Sequence, residues 1–124
     1  MADTPELNDG GTRLEYDTGA MKEDWRKTEG KGRYDLLPPE AIQRIAEVYR
    51  KGAIKYGDRN WQQGIPLSRF MDSGLRHLFQ HLAGKTDEDH LAQAAWNVIA
   101  LIWTETRIQE GKLPKELNDL DIPL

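Results

Sequence analysis

Apolar residues recur with the spacing of an α-helix in three segments of this chain, and turn residues separate the segments. The first helix is predicted to begin at Pro38 and Pro39, because proline suits the first turn of a helix. Gly52 and Gly57 are expected to close it. The apolar face of this helix comprises Ala41, Ile42, Ile45, Ala46 and Tyr49.

The second and third helices are predicted to form a hairpin. Ser68 is a favoured N-cap for the second helix, and Gly84 is a favoured residue at its C-terminal end. Thr86 is predicted to cap the third helix, which can run to about Glu110, before Gly111. The predicted core stripe of the second helix comprises Met71, Leu75, Leu78 and Leu82. The residues predicted to be buried on the third helix are Leu91, Ala94, Ala95, Val98, Leu101 and Ile102.

No segment shows the alternation of apolar and polar residues that is typical of a half-buried strand. The pattern therefore predicts an all-α fold, a helical bundle of three main helices per chain with an N-terminal arm. Residues 1–30 are expected to form this arm, which is partly flexible, and residues 31–124 a single domain. One small protomer cannot cover the apolar stripes of the second and third helices, so we expect a homodimer or homotetramer to complete the core.

Composition narrows the classes of function. The 124 residues suffice for one domain, and a net charge of -4 argues against binding of a nucleic acid polymer. The chain has no cysteine, so a metal would be held by Asp, Glu, His or Asn side chains. The N-terminus lacks the apolar core of a signal peptide, and no apolar run reaches the ~20 residues of a membrane span. We therefore expect a cytoplasmic protein without membrane contact.

The candidate chemistry is concentrated between Ser68 and Asn97, a segment that holds all three histidines of the chain. At about 100° per residue, Asp87, His90 and Asn97 can line one groove of the third helix, together with Asp72 or His77 of the second. Oxygen and imidazole groups gathered on a helical hairpin are what a divalent metal or a phosphate group requires. The segment therefore predicts a polar site between these two helices.

Each of these groups also has a structural explanation. Acidic residues are favoured in the first turn of a helix by the helix dipole, which accounts for the run Asp87–Asp89 without a metal. Asp72 and Arg76 have the spacing of an i,i+4 ion pair on an exposed helix face. His77 is equally suited to a half-buried helix position. Asn97 is harder to explain structurally, because asparagine is a poor helix former and needs a reason near the core.

The loop from Lys55 to Trp61 gathers cationic, aromatic and amide side chains within seven residues. Arg and Lys suit phosphate, aromatic rings suit stacking on a base, and an amide suits the edge of a base or sugar. The same loop would also serve to pin the first helix to the second, so both explanations stay open. Arg33 lies in another glycine-containing segment, Gly30–Leu37, which can approach phosphate but lacks the spacing of a P-loop.

Five segments, in order along residues 18 to about 110, carry a family resemblance: TGAMKED, GKGRYDLLPPEAI, GAIKYGDRNW, GIPLSRFMDSGLRHL and AGKTDEDHLAQAAWN. Together they resemble a family of bacteria and phages that is named for the N-terminal domain of dATP/dGTP diphosphohydrolases. This family is similar to the all-α, MazG-like nucleoside triphosphate pyrophosphohydrolases. The resemblance implies an enzyme that uses Mg²⁺, held by helix-borne carboxylates, to split a nucleoside triphosphate into a monophosphate and pyrophosphate.

The chain departs from the MazG-like pattern at the metal site. Those enzymes carry an ExxE pair on one helix and an ExxD pair on the next. Here the second helix has no glutamate pair, and the ExxD position reads Ala94-Ala95-Trp96-Asn97, without a carboxylate. Asp72, Asp87, Glu88 and the histidines would have to replace those ligands, because two or three carboxylates usually gather Mg²⁺ around a triphosphate.

The resemblance implies hydrolysis of a purine (deoxy)nucleoside triphosphate, with a role for each candidate residue. The metal, Mg²⁺ or Mn²⁺, would be held by Asp72, Asp87 and Glu88. The catalytic residues would be Asp72, Asp87 and His90. The substrate-binding residues would be Arg33, Lys55, Tyr56, Arg59, Asn60, Trp61, Arg76, His77 and Asn97.

Two other functions stay open. Without a full metal cluster, the same residues would bind or sequester a nucleotide and leave it intact, which the missing glutamate pairs favour. A helical protein that binds a protein partner, and whose charges are only surface groups, is the third possibility. The aromatic residues of the Lys55–Trp61 loop and the position of Asn97 argue against this third function.

Overall fold

The computed structural model describes residues 12–124, so the predictions for residues 1–11 of the arm lie outside the described part of the chain. Contacts divide the chain into two compact units, of which the first ends at Pro38 and the second is Pro39–Leu124. The described residues are mostly helical, as the sequence predicts. None of the helices in residues 12–124 combines the length and the apolar character that crossing a bilayer requires.

The first unit contains a β-hairpin that the all-α prediction missed. Strand β1, Arg13–Glu15, pairs antiparallel with strand β2, Met21–Glu23. The amide of Tyr16 donates to the carbonyl of Ala20, and Gly19, with a φ of 89°, donates to the carbonyl of Tyr16. Strands of three residues are too short to show a period of two along the sequence, which is why the pattern did not reveal them.

A buried carboxylate follows the hairpin. Asp24 is almost fully buried and accepts hydrogen bonds from the backbone amide and the guanidinium of Arg26, both at 3.1 Å. The hydroxyl of Thr28 donates to the carbonyl of Asp24 at 2.8 Å, which holds the turn. A short 3-10 helix, Tyr34–Leu36, comes before the second unit.

Three helices build the second unit. Helix α1 is Pro39–Tyr56, helix α2 is Leu67–Leu82 and helix α3 is His90–Gln109. Helix α3 packs against α2 over most of its length and also contacts α1. Short 3-10 helices, Asn60–Gln63 and Lys115–Leu117, lie in the loop between α1 and α2 and after α3.

The ends of the helices follow the proline and glycine signals in most cases. Pro39 is the first residue of α1, and Gly57, with a φ of 93°, directly follows its last residue. Gly52 lies inside α1 and does not end it. Gly84 and Gly111, both with positive φ, lie just beyond the ends of α2 and α3, where a left-handed residue ends a helix.

The predicted N-caps of α2 and α3 were wrong. Ser68 is the second residue of α2, and its amide and hydroxyl both donate to the carboxylate of Asp119, at 2.9 and 2.5 Å. Asp89, and not Thr86, caps α3, because its carboxylate accepts a hydrogen bond from the Ala92 amide at 3.2 Å. In both cases a carboxylate satisfies amides that the start of a helix leaves without partners.

The core between α2 and α3 is made mainly of small and polar residues. Gly74 of α2 lies so close to α3 that an added Cβ would stand 3.4 Å from the Cβ of Asn97. The buried residues of α2 are Leu67, Phe70, Gly74 and His77. The buried residues of α3 are His90, Ala92, Ala94, Asn97, Ala100 and Thr104. Small side chains therefore allow these two helices to approach closely.

The larger aliphatic residues predicted to form the core of these helices are exposed. The exposed fraction along the predicted stripe of α2 rises from 38% for Met71 to 82% for Leu82, with Leu75 and Leu78 between them. Leu91, Val98 and Ile102 of α3 are also exposed, as are Ala41, Ile42 and Ala46 of α1. A periodic pattern identifies an apolar face but does not say whether the same chain covers it. Ala94 is buried as predicted, and Ala95 and Leu101 are half-buried, so the protomer leaves uncovered mainly the larger aliphatic residues of the predicted stripes.

Candidate functional site

Three side chains form a hydrogen-bonded series at the start of α3. The carboxylate oxygen Oδ1 of Asp87 lies 2.8 Å from Nε2 of His90, and Nδ1 of His90 lies 2.9 Å from Nδ1 of His77. His77 and His90 are 6% and 4% exposed, whereas the side chain of Asp87 is 68% exposed. The close packing of α2 against α3 brings the two imidazoles together, and the series connects this buried pair to the surface.

For the form in which both imidazoles are neutral, the hydrogen bonds assign the tautomers. An ionised carboxylate only accepts hydrogen bonds, so Nε2 of His90 carries the proton that it donates to Asp87. Nδ1 of His90 is then an acceptor, and Nδ1 of His77 donates to it. Nε2 of His77 is therefore left with a lone pair. Burial lowers the pKa of His77, which favours this neutral form, and the hydrogen bond from His90 lowers the pKa of Asp87.

A carboxylate pair lies at the exposed end of this series. Three possible ligand atoms, one each from Asp87, Glu88 and His90, lie within 4.8 Å of one another. Both ring nitrogens of His90 already have hydrogen-bond partners, and the carboxylate of Glu88 accepts from the side-chain amide of Gln93 at 2.8 Å. Mg²⁺ prefers oxygen ligands and is commonly held by one or two carboxylates together with substrate phosphates. Asp87 and Glu88 fit such a partly phosphate-held ion, and the arrangement leaves His90 outside its ligands.

Asp72 and Arg76 lie elsewhere. Both line a shallow depression on the exposed face of α2, and Arg76 donates to the hydroxyl of Ser73 at 3.2 Å. Asp72 is not part of the group formed by Asp87, Glu88 and His90. The structure therefore brings together two of the three predicted metal ligands. The α2 residue that joins Asp87 and His90 is His77.

Asn97 lies at the contact of α2 and α3, on the face of α3 that also carries His90. It is 4% exposed, and its side-chain amide donates to the carbonyl of Gln93 at 2.9 Å. This bond within the helix satisfies the amide donor without a ligand. Its position opposite Gly74 gives the asparagine a packing role as well. Substrate binding by Asn97 stays a prediction.

An aromatic pocket of about 600 Å³ lies between the C-terminal half of α1, the following loop and α3. Trp61 lines this pocket and joins a cluster of rings: its ring lies 6.1 Å from Tyr49, 6.1 Å from Trp96 and 5.1 Å from Trp103, measured between ring centroids. The pocket is lined by Tyr49, Gly52, Ala53, Tyr56, Gly57, Asp58, Arg59, Asn60, Trp61, Gln62, Ile65 and Trp96. Apolar walls with a few polar groups are typical of small-molecule sites.

Four predicted substrate-binding residues of the loop lie together around this pocket: Tyr56, Arg59, Asn60 and Trp61. Lys55 is not among the lining residues, and its ammonium lies 5.2 Å from the centre of the Tyr56 ring. None of the residues of the Asp87–His90–His77 series lines the pocket. The described residues thus hold two candidate sites in the second unit, an aromatic one and an acidic one.

The sequence interpretation missed several pocket residues. Tyr49 was predicted only as part of the apolar face of the first helix, and Trp96 was not among the predicted binding residues, yet both rings form walls of the pocket. A signal was present, because Tyr49, Gly52, Ala53 and Tyr56 have the spacing of one helix face. The small residues between the two tyrosines leave the space that the pocket occupies.

Arg33 belongs to the first unit, where its charge is already paired. Its guanidinium donates twice to the carboxylate of Asp35, at 2.8 Å each, and lies 4.2 Å from the centre of the Trp25 ring. The pairing raises the pKa of Arg33 and lowers that of Asp35. Phosphate binding by Arg33 therefore requires that it leave or share this partner, and it stays a prediction.

Asp89 links α1 to α3 and gives a first testable prediction. The Arg44 guanidinium, at 2.8 and 2.6 Å, lowers the pKa of Asp89 to about 2. Asp89→Ala should lower the free energy of unfolding by about 1 kcal/mol through the lost cap. Asp89→Asn retains a capping oxygen and should cost less than about 1 kcal/mol, since this ion pair is exposed.

The pH dependence of these variants separates the cap from the ion pair. Because the folded protein lowers the pKa of Asp89, the contribution of its charge is present at neutral pH and is lost as the pH falls below about 4. Denaturant unfolding at pH 7 and near pH 2 should show a difference between wild type and Asp89→Asn that shrinks on acidification. A difference that is unchanged at low pH would contradict the assigned ion pair.

Comparison with known proteins gives a family but no individual relative. The family described as "dATP/dGTP diphosphohydrolase, N-terminal" matches residues 21–113, three quarters of the chain. No curated protein and no solved structure matches the chain. The matched residues include α1, α2, α3, the Asp87–His90–His77 series and the whole aromatic pocket. The chain therefore belongs to the dATP/dGTP diphosphohydrolase, N-terminal family.

Proposed function

We propose that this protein binds a purine deoxynucleoside triphosphate and hydrolyses it, with Mg²⁺ or Mn²⁺, to the monophosphate and pyrophosphate. The observation that carries the proposal is the aromatic pocket of about 600 Å³, with Arg59 and Asn60 among its lining residues. Its volume suits a nucleoside-sized ligand. The family name supplies the reaction class and the purine deoxynucleotide substrate.

The base would enter between the aromatic side chains. Tyr56 is 62% exposed, so one face of its ring is accessible to a ligand, and Trp61 and Trp96 supply further apolar wall. Stacking on aromatic rings contributes about 1–3 kcal/mol per base and does not by itself distinguish the bases. Arg59 would take phosphate charge, because its guanidinium has no ion-pair or hydrogen-bond partner recorded among residues 12–124.

The acidic site would act on the phosphates. Asp87 and Glu88 would hold the metal, which when bound neutralises phosphate charge and lowers the pKa of bound water. Asp87 has a second carboxylate oxygen for this role, since Oδ1 faces His90. The Asp87–His90–His77 series would hold the imidazoles in one tautomer and take up a proton. Asp72 and Arg76, on the outer face of α2, stay weaker candidates for metal and phosphate contacts.

Binding without hydrolysis is the second candidate function. It is favoured by the separation of the two sites, because the aromatic pocket and the acidic cluster share no lining residue. Helices α2 and α3 also lack the paired glutamates of MazG-like enzymes. A protein of this kind would keep the base pocket and sequester the nucleotide intact.

A product assay separates the two functions. Purified protein is incubated with each of the four dNTPs and with Mg²⁺ or Mn²⁺, and the products are separated by ion-exchange chromatography. Hydrolysis predicts a purine monophosphate and an equal amount of pyrophosphate, and none of either after addition of EDTA. Sequestration predicts intact triphosphate together with measurable binding. The absence of both binding and products would refute the nucleotide proposal.

A further inference from the structure

Two side chains of opposite charge line the aromatic pocket and have no hydrogen-bond or ion-pair partner among residues 12–124. Asp58 and Arg59 are consecutive, exposed lining residues, and neither side chain has such a partner in the described part of the chain. Other arginines of the second unit behave differently. Arg44, Arg50 and Arg107 each pair with a carboxylate, and Arg69 and Arg76 donate to serine hydroxyls. The pocket therefore keeps one acceptor-only group and one donor-only group available at its wall.

The backbone at this point is in an unusual conformation. Arg59 has a φ of 58° and a ψ of 24°, in the left-handed region that residues with a side chain rarely adopt. Gly57, two residues earlier, also has a positive φ of 93°. These two residues with positive φ turn the chain sharply between α1 and the next 3-10 helix. This turn places Asp58 and Arg59 side by side at the pocket, and neither side chain contributes a bond that would stabilise it.

Guanine and adenine differ in how well their hydrogen-bonding edges match a carboxylate and a guanidinium. Guanine presents N1–H and the 2-amino group, two donors on neighbouring atoms that a carboxylate accepts together, and beside them the acceptors O6 and N7. Adenine has a lone pair at N1 and a hydrogen at C2, so a carboxylate facing this edge meets repulsion and forms no paired bonds. An arginine side chain suits either the O6 and N7 acceptors or a phosphate.

We propose that Asp58 selects guanine over adenine in this pocket by accepting hydrogen bonds from N1–H and the 2-amino group. Arg59 then faces O6 and N7 or the phosphates, and the aromatic rings hold the plane of the base. The inference rests on the proposed nucleotide-binding function and names the base that the site prefers. Asp58 is a specificity-determining residue and takes no part in the cleavage step.

Binding of non-cleavable nucleotides tests this selection. The α,β-methylene analogues of dGTP, dITP and dATP are titrated calorimetrically into the protein in the presence of Mg²⁺, since their bridging carbon blocks pyrophosphate release. Wild type should bind the guanine analogue at least about tenfold more tightly than the adenine analogue, which is the usual effect of a good bidentate base contact. The hypoxanthine analogue, which lacks only the 2-amino group, should bind with intermediate affinity.

Asp58→Asn should lose most of this preference, because an amide side chain can pair with either base. Asp121→Asn is the matched control: it removes the same charge from an exposed residue with positive φ outside the pocket, and the preference should persist. Equal affinities for guanine and adenine in wild type, or an unchanged preference in Asp58→Asn, would overturn the selection and leave the proposed function standing. Failure of every analogue to bind would overturn the proposed function as well. The comparison of the three analogues in wild type needs no variant, so equal affinities would overturn the selection even if Asp58→Asn does not fold.

Discussion

Replacement of Asp87 by Asn is expected to abolish nucleotide hydrolysis and to leave the fold intact. Asn retains an oxygen that can accept from Nε2 of His90, so the geometry of the series with His77 can persist. The variant loses the negative charge that would hold the metal and would stabilise the proton taken up by the imidazoles. Positioned acid–base groups contribute about 10²- to 10⁴-fold to rate, so we expect at least a hundredfold fall in kcat.

Stability and binding measurements separate this effect from unfolding. The side chain of Asp87 is largely exposed, and a first-turn or preceding acidic residue contributes at most about 1 kcal/mol to a helix. The melting temperature should therefore change little, whereas the affinity for the methylene analogues in the presence of Mg²⁺ should fall, because the variant lacks one of the two proposed metal ligands. His77→Gln should also reduce kcat, since it removes the imidazole that donates to Nδ1 of His90. Full activity in both variants would show that the catalytic site has been put in the wrong place.

Introduction of charge on the exposed stripe of α2 is expected to dissociate a homo-oligomer into monomers. The predicted homodimer or homotetramer is a proposal, and its basis is the uncovered apolar face formed by Met71, Leu75, Leu78 and Leu82. A contiguous apolar patch on a soluble protein commonly marks an interface. Light scattering should give at least twice the mass of the 124-residue chain for wild type and the monomer mass for the double variant Leu75→Glu, Leu78→Glu.

A matched variant controls for the loss of leucine itself. Leu75→Met, Leu78→Met keeps the face apolar at a similar volume, so the oligomer should persist. Circular dichroism should report folded helices in both double variants, because these side chains are exposed within one protomer. A monomeric wild type at micromolar concentration would contradict the proposal. An oligomer that resists both glutamates would place the interface on another face.

Sequence periodicity predicted the helices well because their signals are local. The spacing of apolar residues and the glycines at positions 57, 84 and 111 are sufficient to locate α1, α2 and α3 within a few residues. The β-hairpin of the first unit gave no comparable signal, because each strand has three residues. The N-cap of α3 was misplaced because Thr86 and Asp89 are both favoured cap residues and the sequence does not choose between them. In the structure Asp89 is the cap, and it also pairs with Arg44, which is distant in sequence.

The assignment of buried faces could not be made from the sequence. On α2 the predicted stripe and the buried face, which is formed by Leu67, Phe70, Gly74 and His77, lie next to each other on the helix surface. The close approach at Gly74 favours the face with small and polar residues, which lets His77 reach His90. Periodicity ranks side chains by hydrophobicity and therefore places the leucines inside. What decides the matter is a contact between helices, which a single helix pattern does not contain.

The candidate site could be predicted only in part, because it too depends on contacts between helices. Helix geometry placed Asp87 and His90 on one groove and left either Asp72 or His77 as the partner from the second helix. The structure joins Asp87 and His90 to His77. The loop residues Tyr56 and Trp61 were recognised from their chemistry and lie at one pocket. Walls contributed by other helices, such as the ring of Trp96, depend on tertiary packing and were not predicted.

The most direct test of the central claim is the position of bond cleavage during hydrolysis in ¹⁸O-labelled water. The protein is incubated with dGTP and Mg²⁺ in this solvent, and the products are analysed by ³¹P NMR and mass spectrometry. Attack at the α-phosphorus predicts one ¹⁸O atom in dGMP and unlabelled pyrophosphate, in equal amounts. Labelled pyrophosphate, release of inorganic phosphate or triphosphate, or dGTP that stays intact although it binds would each contradict the proposed reaction.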